Sequence, residues 1–409
     1  MHISAVETIR LGEFPNLCFV RVHTDQGLIG LGETYFGAEA VSAWVHENAA
    51  PTLLGADPLA IERHWQNLVG FVGSRSTGVE NRGRSAVDIA LWDLLGQVTG
   101  QPIYQLLGGS MRDCIPVYNT CAGYHYVQKV PKNAHLPVGN WGEGLAQGPY
   151  EDLEGFLYHA DELAQSLRDE GFMGMKIWPF DMAAEKTGGH GISGEDLSKA
   201  IGPFEKIRRA VGDEIEIMVE MHSLWDLPTA KRIAQALEPF RPYWFEDPIR
   251  MDSARSLREF ARSTRVPVAA SETLGTRTGY RDVLEQHAAG VVIFDPTWTG
   301  GISESKRIAS LAEAYEIPIA PHDCVGPVSL AVDVHLSAHL PNTLVQEVVR
   351  AFYSGWYQDL VTELPRLISG YIYPLTGPGL GLQLQPDVLR RKDASIRRSS
   401  AGGAACKSL

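Results

Sequence analysis

The pattern of apolar and polar positions changes rhythm near residue 113. Before that point, runs at 3–10, 17–23 and 28–33 alternate well enough to be strands, and Asp25-Gln26-Gly27 between the last two is a hairpin signal. Apolar residues at helical spacing over 38–54, 57–69 and 85–96 predict helices, with a loop rich in Gly, Ser and Thr at 70–83. Beyond residue 113 a short, largely apolar run is followed by an amphipathic stretch, and this unit occurs eight times. Strands are expected at 115–119, 172–177, 215–220, 243–246, 267–271, 291–295, 317–321 and 344–348. Helices are expected at about 151–170, 195–211, 228–238, 253–263, 278–288, 302–315, 327–339 and 353–363. Strands that alternate with helices through short loops demand a parallel sheet, and eight such units over about 250 residues make a complete barrel. The fold class is therefore α/β: a (β/α)8 TIM-type barrel behind an N-terminal α+β capping domain. The boundaries read 1–112 for the capping domain, 113–365 for the barrel and 366–386 for a return to the capping domain. Residues 387–409, with Arg390-Arg391-Lys392 and a Ser/Gly-rich end, read as a flexible tail.

Composition narrows the class of partner. A chain of 409 residues exceeds one small core, and its net charge of −13 argues against nucleic acid. No run of about 18 apolar residues exists, so no membrane span is expected. The first residues, Met1 to Glu7, lack the basic and apolar regions of a signal peptide. Cys18, Cys114, Cys121, Cys324 and Cys406 have no paired or metal-type spacing and read as free thiols in a cytoplasmic protein.

The candidate chemistry lies at the expected strand ends. Glu220, Glu246 and Glu272 close strands three, four and five, 26 residues apart in each case. One strand–helix unit is about that long, so three carboxylates meet around one point. Buried carboxylates without partners are costly, and an all-oxygen set favours Mg²⁺, one per subunit, over zinc. Lys176 ends strand two, Asp295 strand six, His322 strand seven and Glu347 strand eight. Asp295 and His322 are 27 residues apart, which puts them on neighbouring strands. A carboxylate beside an imidazole fixes its tautomer and raises its basicity, as a general base needs. His222, two residues after Glu220, is expected on the same side of strand three. Trp178 and Trp298 are expected to line the substrate site with Lys176 and Glu347. The long segments 120–150 and 178–194, with 12–36 and 70–83, are the expected walls of that site.

These residues carry a family resemblance. The chain resembles the enolase superfamily, and within it the mandelate racemase subgroup, over about residues 1–385. The matches are Glu220/Glu246/Glu272, the Asp295/His322 pair, Glu347, and the stretch from Arg84 through Asp88, Trp92-Asp93 and Gln97 to Gly108, which is similar to that family's capping-domain signature. The resemblance implies a Mg²⁺ site on the three glutamates and an enediolate made by proton abstraction from a carboxylate substrate, a pattern general to that superfamily. It also implies a homo-oligomer, from dimer to octamer. Racemase-like members often carry Lys-x-Lys at strand two, whereas here Lys176 is followed at that place by Trp178. Glu220-Met221-His222 resembles the Asp-x-His of galactonate dehydratase-like members, with Glu for Asp. There the histidine protonates a departing β-hydroxyl.

On this reading the expected activity is dehydration of an aldonate or aldarate to a 2-keto-3-deoxy acid. His322 is the base, Asp295 its partner and His222 the acid, while Lys176 either transfers protons or binds substrate. The alternatives are a racemase, epimerase or cycloisomerase sharing the enediolate step, and a catalytically silent ligand-binding relative. Only a small sugar acid is expected as ligand, with neither nucleic acid nor membrane as partner.

Overall fold

A computed structural model describes residues 1–69, 78–126, 128, 141 and 148–400. Strands β1 (Ile3–Leu11), β2 (Leu17–Thr24) and β3 (Ile29–Tyr35) form an antiparallel sheet, with Ile9 opposite Phe19 and Phe19 opposite Glu33. The helix Val79–Thr99 lies against β3. The approach is so close that a Cβ on Gly32 would sit 1.9 Å from the Ala86 carbonyl oxygen, and one on Gly30 would sit 2.0 Å from that of Ala90. Glycine is required at both places by proximity to the helix backbone. The helix begins at Val79, inside the segment expected to be loop, because Asn81, Ser85 and Asp88 spend their polar groups on buried contacts with the barrel. The helix expected at 38–54 is interrupted by a π-helical turn, Val45–Ala49.

The barrel strands are β4 (Ile115–Thr120), β5 (Gly174–Ile177), β6 (Glu216–Glu220), β7 (Trp244–Glu246), β8 (Val268–Ala270), β9 (Val291–Val292) and β10 (Gln346–Val348). Neighbours pair in parallel from β4 to β9, and β10 pairs with β4. The seventh strand is reduced to Ile319, which bridges Val292 and Thr343 and closes the ring. Tyr118, Met218, Trp244, Ala269, Val291, Ile293, Ala320 and Val345 fill the interior as one apolar cluster. Their neighbours in sequence, among them Ile217, Val219, Phe245, Val268 and Ala270, pack in the larger core that includes the outer helices. Alternation and register then fix the parity of the functional positions. Lys176 pairs with Met218, which pairs with Trp244, so Lys176, Glu220 and Glu246 all share the inward parity.

Two expectations about the C-terminal segment are corrected. Residues 366–386 return only in part to the capping domain. A hairpin of β11 (Arg366–Ile368) and β12 (Tyr371–Tyr373) first pairs antiparallel with the start of β4. Contact with the capping domain follows at Leu380, whose N–H donates to Asp93 Oδ1 (2.9 Å). Nor is 387–400 a flexible tail. β13 (Ala394–Ser400) pairs antiparallel with β1, Ile396 opposite Ile9, so the four-stranded order is β13-β1-β2-β3. The reason is that β1 otherwise presents an unpaired edge, and backbone pairing satisfies it whatever the side chains are. Residues 401–409 lie outside the described residues. Cys18, Cys114, Cys121 and Cys324 are free thiols, and no described helix is long and apolar enough to cross a membrane.

Candidate active site

The inward parity of the short strands delivers a ring of charge to the barrel mouth. Glu220 and Glu246 face each other in register at the ends of β6 and β7, and Glu272 stands two residues beyond β8. One ligand oxygen from each lies within 4.8 Å of the others, which is the scale of an oxygen shell around one divalent cation. Glu220 and Glu246 are buried; Glu272 is half-buried. Glu220 is aimed by its own backbone. Its Oε1 accepts the N–H groups of Met221 (3.0 Å) and His222 (2.7 Å). Glu246 Oε2 accepts the indole N–H of Trp244 (2.9 Å). These residues therefore fit a hard cation, with three carboxylates and no softer donor in the set.

Lys176 sits inside this ring. Its Nζ lies 2.7 Å from Glu246 Oε1, 2.8 Å from Glu347 Oε1 and 3.5 Å from Glu220 Oε2. Burial disfavours its ammonium, but Glu246 and Glu347 outweigh that and hold its pKa well above the ordinary lysine value. Glu347 is fixed by the Thr120 hydroxyl and by the N–H of Asp323 (3.0 Å).

Two histidines share the mouth, and a buried aspartate holds each at Nδ1. His322 Nδ1 is 2.9 Å from Asp295 Oδ2, and His322 Nε2 meets Glu272 Oε2 at 2.8 Å. Asp295 is locked in turn, its Oδ1 accepting both the N–H (2.7 Å) and the hydroxyl (2.6 Å) of Thr297. Burial lowers the His322 pKa, but Glu272 and Glu347 more than compensate and raise it well above the ordinary imidazole value. His322 in turn, through its charge and its hydrogen bond, holds the Glu272 carboxyl down at about 2 against the effect of burial. His222 Nδ1 is 2.7 Å from Asp181 Oδ2. Burial would pull the His222 imidazole down, yet Asp181 and then Glu220 hold it up at about 9.

Sequence reasoning placed His222 on the strand, two residues along the same face as Glu220. The structure brings it to the same cavity by another route. β6 stops at Glu220, and His222 and Ser223 adopt left-handed backbone with φ of 48° and 57°. Such conformations are disfavoured for residues with a side chain and concentrate at functional sites. Asp247, directly after Glu246, does the same with φ of 41°.

The cavity at this mouth is lined by Lys176, Glu220, His222, Glu272 and His322 together with Trp178 and Trp298. The buried indole N–H groups of Trp178 and Trp298 have no hydrogen-bond partner among the described residues. Thr120 and Cys324 also line the cavity, with Phe36 and Tyr126, which fall inside the segments 12–36 and 120–150. Lys129, Lys132 and His135 lie outside the described residues. His125 is bonded to Gln128 (2.8 Å). Asp181 was missed. It opens the short helix Asp181–Thr187, and only the fold of that loop turns it toward His222.

The comparisons with known proteins fit this geometry. The mandelate racemase/muconate lactonizing enzyme N-terminal domain profile matches residues 5–108, and the enolase C-terminal domain-like profile matches residues 159–388. The chain belongs to the enolase superfamily, in its mandelate racemase subgroup. Within that superfamily it is similar to an enolase of the mandelate racemase subgroup from Agrobacterium tumefaciens, solved with sodium and phosphate. The two are 50% identical with a TM-score of 0.87, covering 98% of this chain and 99% of that one. It is also 30% identical over 403 residues to the D-galactonate dehydratase of Pectobacterium atrosepticum, covering 96% of this chain and 95% of that protein. A dehydratase-like structure from Salmonella enterica serovar Typhimurium is 28% identical with a TM-score of 0.82, covering 97% and 99% of the two chains. Membership makes the protein an enzyme of this superfamily and accounts for its acidic triad.

Proposed function

We propose that this enolase-superfamily enzyme dehydrates a sugar acid, an aldonate or aldarate, to a 2-keto-3-deoxy acid. The observation that carries the reading is the pair of aspartate-held imidazoles, His322 and His222, on one cavity with Glu220 and Glu272 of the acidic cluster. Elimination of water from a hydroxy acid needs a base at the α-carbon and an acid at the β-oxygen, because hydroxide is a poor leaving group. Asp295 orients His322 at Nδ1, and Nε2, which meets Glu272 here, would be released to take the α-proton once Glu272 holds the cation. Asp181 does the same for His222, whose Nε2 gives a proton to the departing hydroxyl. Held by Glu220, Glu246 and Glu272, Mg²⁺ would supply positive charge to the substrate carboxylate as that proton leaves. Lys176 and Glu347 bind the carboxylate end of the substrate, and the indole N–H groups of Trp178 and Trp298 serve its hydroxyls. Similarity to a D-galactonate dehydratase supports the same reaction class. A racemase would need a second base opposite the first, and Lys176 is engaged by three carboxylates with Trp178 where a second lysine would stand.

The test is a panel of aldonates and aldarates, starting with D-galactonate, incubated with enzyme and Mg²⁺. Formation of a 2-keto acid is followed by semicarbazide absorbance and product mass. Loss of one water in the product is the expected result. Solvent exchange of the α-proton without any keto acid from the exchanging substrate would replace dehydration by racemisation or epimerisation.

A further inference from the structure

The capping domain meets the barrel at the two loops that carry His322 and Asp295, and one strand end reaches both. Glu33 and Thr34 are consecutive in β3, so their side chains leave opposite faces. Glu33 turns to the loop after the seventh strand. Its Oε2 accepts the N–H of Val328 (3.2 Å) and its Oε1 that of Ser329 (3.1 Å), at the start of the helix Pro327–His339. Those are amide groups that a helix leaves unpaired at its N-terminus, and here a glutamate from another domain takes them. The loop is pressed onto that carboxylate, since a Cβ on Gly326 would fall 2.5 Å from Glu33 Oε1. His322 lies four residues before Gly326 in the same loop. Thr34 turns to the loop after β9. Its hydroxyl donates to the Thr297 carbonyl (2.8 Å), and Thr297 is the residue whose N–H and hydroxyl hold Asp295. Glu33, Thr34, Thr297 and Asp295 are all fully buried, so neither contact is exchanged for water. The end of β3 is thus wedged between the two loops: Thr34 bonds the residue that holds Asp295, and Glu33 anchors the far end of the loop that carries His322.

We propose that Glu33 and Thr34 are positioning residues: from the capping domain, the end of β3 fixes the distance and angle between His322 and Asp295. The contribution to turnover rests on the reading of His322 as the base; the contribution to geometry does not.

The experiment uses the full chain with Mg²⁺, labelled with ¹⁵N at histidine. The His322 Nδ1–H resonance is assigned by its disappearance in His322→Asn. Thr34→Val removes the hydroxyl at constant shape, and Glu33→Gln must turn an NH₂ toward one of two N–H donors. Both variants are expected to displace or broaden the His322 resonance, and Thr34→Ser, which restores a hydroxyl, returns it toward the wild-type position. With D-galactonate in deuterium oxide, the first two variants are expected to lose roughly 10- to 100-fold in α-proton exchange at saturation with little change in KM, the scale set by small misplacement of a reacting group. A wild-type resonance in folded Thr34→Val and Glu33→Gln proteins, even with a lower Tm, would reduce these contacts to holding the fold and overturn the proposal. If Thr34→Val does not fold, Glu33→Gln decides. Failure of the wild type to exchange D-galactonate would count against that substrate, and the resonance would still decide the role of β3.

Discussion

At the scale of single residues, the mouth of the barrel separates into groups with distinct expected losses. Glu246 is fully buried between Trp244 and Lys176, so Glu246→Gln changes charge with little change in shape. It should abolish Mg²⁺-dependent turnover and leave the circular dichroism spectrum unchanged; full activity in excess EDTA would sink the metal role of the triad. His322→Asn should abolish exchange of the α-proton with deuterated solvent, a loss on the order of 10²–10⁴-fold. Asp295→Asn should lose less, since it acts through His322. On the other side of the reaction, His222→Asn and Asp181→Asn should fail on the native hydroxy acid yet still exchange the α-proton. Both should release fluoride from a β-fluoro analogue, because fluoride departs without protonation. Joint loss of exchange and fluoride release, with Mg²⁺ binding intact, would remove His222 from the role of leaving-group acid. The three glutamates and the His322–Asp295 pair were legible because each sits one βα unit from the next. Asp181 was not, because a loop conformation brings it to His222 and no spacing rule describes one.

At the scale of elements, the two segments that departed from expectation make opposite demands on the chain. β13 is mostly polar and gave no apolar signal, yet it covers the edge of β1 and brings Arg391 to Glu13 (2.6 Å). Truncation after residue 386 should therefore lower Tm and promote association through the bared edge, measured by calorimetry and light scattering. An unchanged Tm would return this segment to the status of a dispensable tail. The helix Val79–Thr99 buries Asp88 and Asp93 against its partners. Asp93 takes N–H groups from Leu31 and Leu380 (2.9 Å each), and Asp88 takes that of Ser303 (3.0 Å). Burial outweighs these donors and pushes both carboxyls up to about 7. A folded pKa above the unfolded one means that the native chain keeps protons the unfolded chain has released. Stability contributed there falls as pH rises from about 4 toward 7. Wild-type Tm should accordingly drop relative to Asp93→Asn between pH 5 and pH 8. A wild type that gains on the variant over that range would show that the hydrogen bonds win.

At the scale of the whole molecule, the site exists only where two modules and eight strand ends converge, and ligation should be felt by the entire fold. Mg²⁺ at about a hundred times its Kd should add about 2.7 kcal/mol, a rise in Tm of roughly 3 °C for a chain of this size. Glu246→Gln should abolish that rise; its persistence would place the cation elsewhere. What the sequence determined by itself was periodic: the alternation of apolar strand and amphipathic helix, and the recurrence of an ionisable residue at nearly every strand end from the second on. Those features are local, since a two-residue or 3.6-residue repeat and a constant βα length require no knowledge of distant contacts. From them came the barrel, the cluster of three glutamates and the pairing of His322 with Asp295. Tertiary structure alone decided the rest. The left-handed turn at His222, the Asp181 bond, the pairing of β13 with β1 and the wedge of Glu33 and Thr34 join segments far apart in the chain or fixed by their surroundings. Their physical cause is the need to satisfy buried backbone and carboxylate groups in the folded molecule. That need has no counterpart in the order of residues, because it arises only once the chain has closed around them.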